Sequence, residues 1–135
     1  MLLVRHGSAG DRAAWEGDDR ERPLDERGLH QAGALVELLK PYEVERILSS
    51  PAVRCVQTME PLAKARGLSI EPRDELTEEL QATAGAELVR TLAGAAVAIC
   101  GHGGLEGSLR DPPRWKKGAV FAVGDALEVT ATLRP

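Results

Sequence analysis

The chain has 135 residues, 43% hydrophobic and 28% charged, with a formal net charge of −4. That length fits a single domain, residues 1–135, and with one Phe, one Tyr and two Trp its core must be aliphatic. The acidic balance excludes nucleic-acid binding by bulk electrostatics, and no stretch is apolar for the length of a membrane span.

The chain opens on a short apolar run, Leu2 to Val4, the pattern of a buried strand, which ends in Arg5-His6-Gly7. Arg5 and His6 break the run too early for a signal peptide, and a cytoplasmic location is expected. Residues 7–24, rich in Gly, Asp, Arg and Glu, read as a long polar loop. Asp25 is a candidate N-cap for a helix through about Lys40, with apolar positions at Leu29, Ala32, Leu35, Val36 and Leu39, and Pro41 stops it. Val44 to Leu48 is a second strand. Ser50-Pro51 reads as the start of a helix to about Arg66, with Ser50 as cap, Pro61 inside and Gly67 at its end.

Leu68 to Glu71 is a third strand candidate, followed by an acidic segment, Asp74 to Glu79. A helix is expected over Ala86 to Leu92 and a fourth strand over Ala95 to Cys100, which runs into Gly101-His102-Gly103. Gly103 to Leu109 reads as a short helix. Ala119 to Val123 and Leu127 to Leu133 read as a closing hairpin with Gly124-Asp125 in the turn. The two cysteines, Cys55 and Cys100, match no metal-binding spacing and read as reduced core residues.

Strands alternating with helices imply an α/β fold: a mainly parallel central sheet flanked by helices, with a C-terminal hairpin. Parallel strands put their carboxyl ends on one edge, where such sheets bind ligands. Arg5-His6, Ser49-Ser50 and His102 therefore meet on one edge, and Arg54 joins them from the first turn of the next helix, whose N-terminus favours anions. Imidazole is a competent phosphoryl acceptor at neutral pH, and a covalent intermediate splits one hard step into two. Arginine holds phosphate oxygens in a planar fork. A backbone carbonyl on the other ring nitrogen would fix the tautomer of His6, and Gly7 allows a close backbone approach.

These residues carry a resemblance. Arg5-His6-Gly7, Ser49-Ser50-Pro51-Ala52-Val53-Arg54-Cys55-Val56-Gln57-Thr58 and Gly101-His102, in that order, resemble the three motifs of the histidine phosphatase superfamily, the group with phosphoglycerate mutases and acid phosphatases. Arg22-Pro23-Leu24 through Gly28 and Gln31-Ala32 also fit. The resemblance implies a phosphoglycerate mutase-like fold, with His6 as the phosphorylated nucleophile, Arg5 and Arg54 as phosphate clamps and His102 as the second catalytic histidine. Leu76-Thr77-Glu78 resembles the element that carries a proton donor in many members, which nominates Glu78, with Glu79 beside it. The small size is similar to SixA-like phosphohistidine phosphatases. Gly17 to Leu24 and Leu76 to Glu79 are also similar to a phosphatase-like domain fused behind a Nudix domain in some actinobacterial proteins.

The expected activity is a phosphatase without cofactor or metal, acting on phosphohistidine of a protein, with no nucleic-acid or membrane partner. The alternatives are a small-molecule or nucleotide-related phosphomonoesterase of the same mechanism, and a phosphate-binding regulatory module without turnover. Binding alone needs no nucleophile, which counts against the module. A zinc site using His6, His30 and His102 has no ligand spacing to support it. A dinucleotide fingerprint at Gly101 fails because Glu106 stands where its third Gly belongs. The stretch from His102 to Lys116 is too short for a large capping insertion, which suggests an open pocket suited to a protein side chain or varied substrates, with the loop from Ser8 to Leu24 as a candidate lid.

Overall fold

The computed structural model describes residues 1–135. Six strands form one sheet: β1 (Leu2–Arg5), β2 (Arg46–Ser49), β3 (Ile70–Pro72), β4 (Val97–Gly101), β5 (Val120–Val123) and β6 (Val129–Leu133). Their order is β3-β2-β4-β1-β5-β6. The first four strands are parallel, whereas β5 runs antiparallel to β1 and carries β6 antiparallel on its outer side. The closing hairpin is thus the last part of the same sheet.

Alternation along the strands sorts the core into two layers. Leu2, Val4, Ala98 and Cys100 face α1 (Glu26–Leu38) and α2 (Val53–Arg66), where they meet Leu35, Met59 and Leu62. Leu3, Leu48, Ile99 and Phe121 face the other way, onto Leu76, Val89 of α3 (Ala86–Thr91), Leu105 and Trp115. Both faces are covered, which is why the strands read as continuous apolar runs. No helix is long and apolar enough to cross a membrane.

Several local features differ from the sequence reading. Leu29 is 54% exposed, so the buried stripe of α1 rests on Gly28, Ala32 and Leu35 instead. Ser50 does not cap α2. The helix starts at Val53 with Ala52 at its cap, and the Ser50 hydroxyl, besides accepting from the Ala52 N–H at 3.3 Å, meets His102 Nε2 at 2.8 Å. Pro61 remains inside α2, and Gly67 ends it in the left-handed region at φ 65°. α3 is preceded by a single π-helical turn, Gln81–Gly85, and the short helix near Gly103 is a 3-10 turn, Leu105–Ser108. The polar loop 7–24 contains two 3-10 turns, Arg12–Ala14 and Asp19–Glu21, each capped by an aspartate.

Candidate active site

The register of the sheet sets the site. Arg5 aligns with Gly101, and Ser49 with Cys100, so three strands end level. The next backbone N–H groups continue the pairing, His6 to the Gly101 carbonyl at 3.2 Å and Ser50 to that of Cys100 at 2.9 Å. His6 and His102 therefore leave the sheet side by side. Their ring centroids are 5.5 Å apart with planes at 65°.

His6 is 5% exposed, and its Nδ1 lies 2.8 Å from the Gly7 carbonyl. A carbonyl can only accept, so Nδ1 carries the proton and Nε2 keeps a lone pair. Burial pushes the pKa of the ring down from 6.5 to about 3, helped by His102, Arg54 and Arg5 and opposed by the Gly7 hydrogen bond. The loop behind His6 is anchored from several directions. Gly7 N–H donates to Thr58 Oγ1 on α2, and the Thr58 hydroxyl donates to the Arg54 carbonyl. Ser8 N–H donates to Gln31, and the Ser8 hydroxyl to Asp25, which also caps α1 through the Gly28 N–H. Gln57 accepts from the Leu24 N–H. Gln57 and Thr58 are thus tethers of the loop.

Arg54 is 1% exposed. Its guanidinium donates to the Asp19 carbonyl and carboxylate at 2.8 and 3.1 Å and to Glu78 at 2.5 Å, and it lies 3.4 Å from His102 Nδ1. Arg5 donates to the Trp115 carbonyl and lies against Gly103, where a Cβ would come within 3.0 Å of it. The Nε of Arg5 and the Nε of Arg54 are the two buried side-chain polar atoms of the chain with no hydrogen-bond partner. Gln81, in the π-helical turn, holds the His102 loop by donating to the Gly103 carbonyl and accepting from the His102 N–H.

Glu78 enters the same site. One of its oxygens lies 3.4 Å from His102 Nδ1 and accepts from Arg12 at 2.7 Å. A pocket of about 230 Å³ is lined by Arg5, His6, Arg12, Arg22, Glu78 and His102, among others. It adjoins a larger one of about 590 Å³ that shares Arg12, Glu78 and His102 and adds Arg54, Asp19 and Glu79. All five nominated residues therefore converge, and Glu79 lies in the outer pocket. His30 is exposed and apart from the site.

Sequence reasoning missed Arg12, Asp19, Arg22 and Gln81. Arg12, Asp19 and Arg22 belong to the loop over the site, where Asp19 pairs with Arg54, Arg22 and Arg12, and those contacts hold its carboxyl below the usual range. Arg12 had no signal beyond the density of charge in residues 7–24, and Asp19 and Arg22 appeared only within segments that carry the resemblance, with no role attached. Cys55 is buried, with its Sγ 3.6 Å from His102 Nε2.

The chain is similar to several known proteins. The 8-oxo-(d)GTP phosphatase of Mycolicibacterium smegmatis is 48% identical over 82 residues, 61% of this chain, and the chain spans only 26% of that relative's length. The protein histidine phosphatase SixA, solved with tungstate, is 26% identical and superposes with a TM-score of 0.79 over 99% of this chain and 96% of its own. A SixA protein from Agrobacterium tumefaciens, 24% identical, shares the fold with a TM-score of 0.84 over 99% of this chain and 96% of its own. A phosphoserine phosphatase from Entamoeba histolytica, 14% identical, shares it with a TM-score of 0.73 over the same shares. Residues 1–82 match the profile of branch 1 of the histidine phosphatase superfamily, and the chain belongs to that superfamily.

Proposed function

We propose that the chain hydrolyses its substrate through a phosphohistidine on His6, and that the substrate is a phosphohistidine side chain of a protein. The observation that carries the mechanism is the His6 ring: Nδ1 is tied to the Gly7 carbonyl, and Nε2 is neutral beside His102 and two arginines. Nε2 attacks phosphorus. The new N–P bond forms as the bond to the leaving group breaks, and that group departs with the electron pair and takes up a proton. Arg5, Arg54 and His102 bind the phosphoryl oxygens and offset their charge. Water then attacks the phosphohistidine, releasing orthophosphate and regenerating His6.

The choice of a protein substrate is supported by the likeness to SixA over nearly the whole chain. A second reading, hydrolysis of a small phosphate ester, is favoured by Glu78, which stands in the inner pocket where it could protonate an alkoxide.

The test is trapping. A labelled substrate should leave an acid-labile, base-stable phosphoryl group on the wild-type protein and none on His6→Ala. Normal turnover by folded His6→Ala protein would overturn the mechanism. Rates across phosphohistidine protein, sugar phosphates, phosphoglycerates and nucleotides decide the substrate.

A further inference from the structure

Beside the His6 pocket lies a groove of about 570 Å³. Six cationic side chains line it: Arg5, Arg27, Arg114, Lys116, Lys117 and Arg134. They arrive from four separate segments: the end of β1, the first turn of α1, the loop before β5 and the residues after β6. None of the six enters an ion pair, although the chain as a whole carries a net charge of −4. No acidic side chain lines the groove, and Ala119 is its single hydrophobic residue. Six like charges gathered with no acidic side chain among them, and only the terminal carboxylate of Pro135 at the lining, repel one another, and an anion in their midst relieves that repulsion.

The groove and the His6 pocket share two walls, Arg5 and Lys117. A molecule whose reacting phosphoryl sits at His6 can therefore extend into the groove. From this we infer that the groove is a second anion subsite, which takes the remaining phosphates of an oligophosphate whose terminal phosphoryl is at His6. The concave shape suits a short chain of phosphates. Small-molecule pockets that hold a ring are mostly apolar, and this groove offers no aromatic or large aliphatic side chain to a base. It reads phosphate charge and leaves the rest of the ligand in solvent. The inference rests on the assignment of the reacting phosphoryl to His6, and it adds a substrate class to that site.

The decisive comparison is between inorganic tripolyphosphate and orthophosphate as ligands of the wild-type protein and of Arg27→Gln/Arg114→Gln/Lys116→Gln. These three residues line the groove but not the His6 pocket. Calorimetry should show tripolyphosphate binding the wild type at least about tenfold more tightly than orthophosphate, with an advantage that shrinks as salt rises. The triple variant should lose most of that advantage, while orthophosphate affinity and the rate on p-nitrophenyl phosphate stay at wild-type levels. Equal tripolyphosphate affinity in variant and wild type would overturn the subsite. So would an unchanged tripolyphosphate affinity combined with a slower rate on an acidic phosphohistidine protein, because the groove would then serve a protein face. Failure to trap a phosphoryl group on His6, with the tripolyphosphate difference intact, would remove the proposed mechanism and leave the subsite standing.

Discussion

Burial holds the His6 ring neutral, with a pKa of about 3 against an ordinary 6.5. In the unfolded chain the ring takes up its proton as pH falls through about 6.5, whereas the folded protein does so only near 3. Above 6.5 the two states match and His6 adds no pH dependence. Below it the unfolded state binds the extra proton, so stability declines from about pH 6.5 downward. The melting temperature should therefore fall between about pH 7 and 5, and His6→Gln should flatten that decline. The acid limb of kcat/KM should lie well below 6.5, and a limb at the ordinary imidazole value would contradict a buried neutral nucleophile. The two glutamates separate by position. Glu78 touches Arg54, Arg12 and His102, whereas Glu79 lines only the outer pocket. Glu78→Gln should slow monoester hydrolysis by about 10²–10⁴ and Glu79→Gln far less. Phosphohistidine, whose imidazole leaves more readily, should be affected less by either.

Two elements hold the site together. The first is the junction of the His6 loop with α1. A Cβ on Gly28 would sit 2.0 Å from the Ser8 carbonyl oxygen, so the close approach of loop to helix depends on glycine there. Gly28→Ala should cost about 2–4 kcal/mol, measured by urea unfolding, and should reduce turnover by shifting the residues behind His6. A change within about 0.5 kcal/mol would mean that the loop does not depend on that approach. The second element is the loop 7–24, which lies over the site through Arg12 to Glu78 and Asp19 to Arg54. The Asp19 carboxylate pairs with the Arg54 guanidinium that the proposed mechanism assigns to the phosphoryl group. Asp19→Asn should therefore tighten competitive inhibition by orthophosphate about two- to fivefold, within the range of an ion pair whose carboxylate is partly exposed. Weaker inhibition would show that Asp19 orders the loop more than it opposes the anion.

Across the molecule, the proposed mechanism draws its positive charge from Arg5 and Arg54, the role that a metal fills in many phosphatases. Activity should survive EDTA and dialysis, and loss with recovery on a divalent ion would contradict this. The layered α/β architecture and the meeting of Arg5, His6, Arg54 and His102 at one sheet edge follow from local sequence alone. The apolar runs end at Arg5-His6 and at Gly101-His102, and a parallel sheet can only deliver such ends to one edge. The Asp25 cap, the Gly67 stop and the closing hairpin were legible for the same local reason, since backbone chemistry acts over a few residues. Glu78 was legible only through the resemblance, because nothing in an acidic run says which carboxylate turns inward. The tertiary structure alone decided that Ser50 meets His102 rather than capping α2, that Gln81 holds the His102 loop, and that Arg12 and Asp19 reach the site. It also gathered Arg27, Arg114, Lys116 and Arg134 into one groove. These contacts join residues far apart in the chain, and their partners are set by packing across the sheet edge rather than by any local pattern of residues.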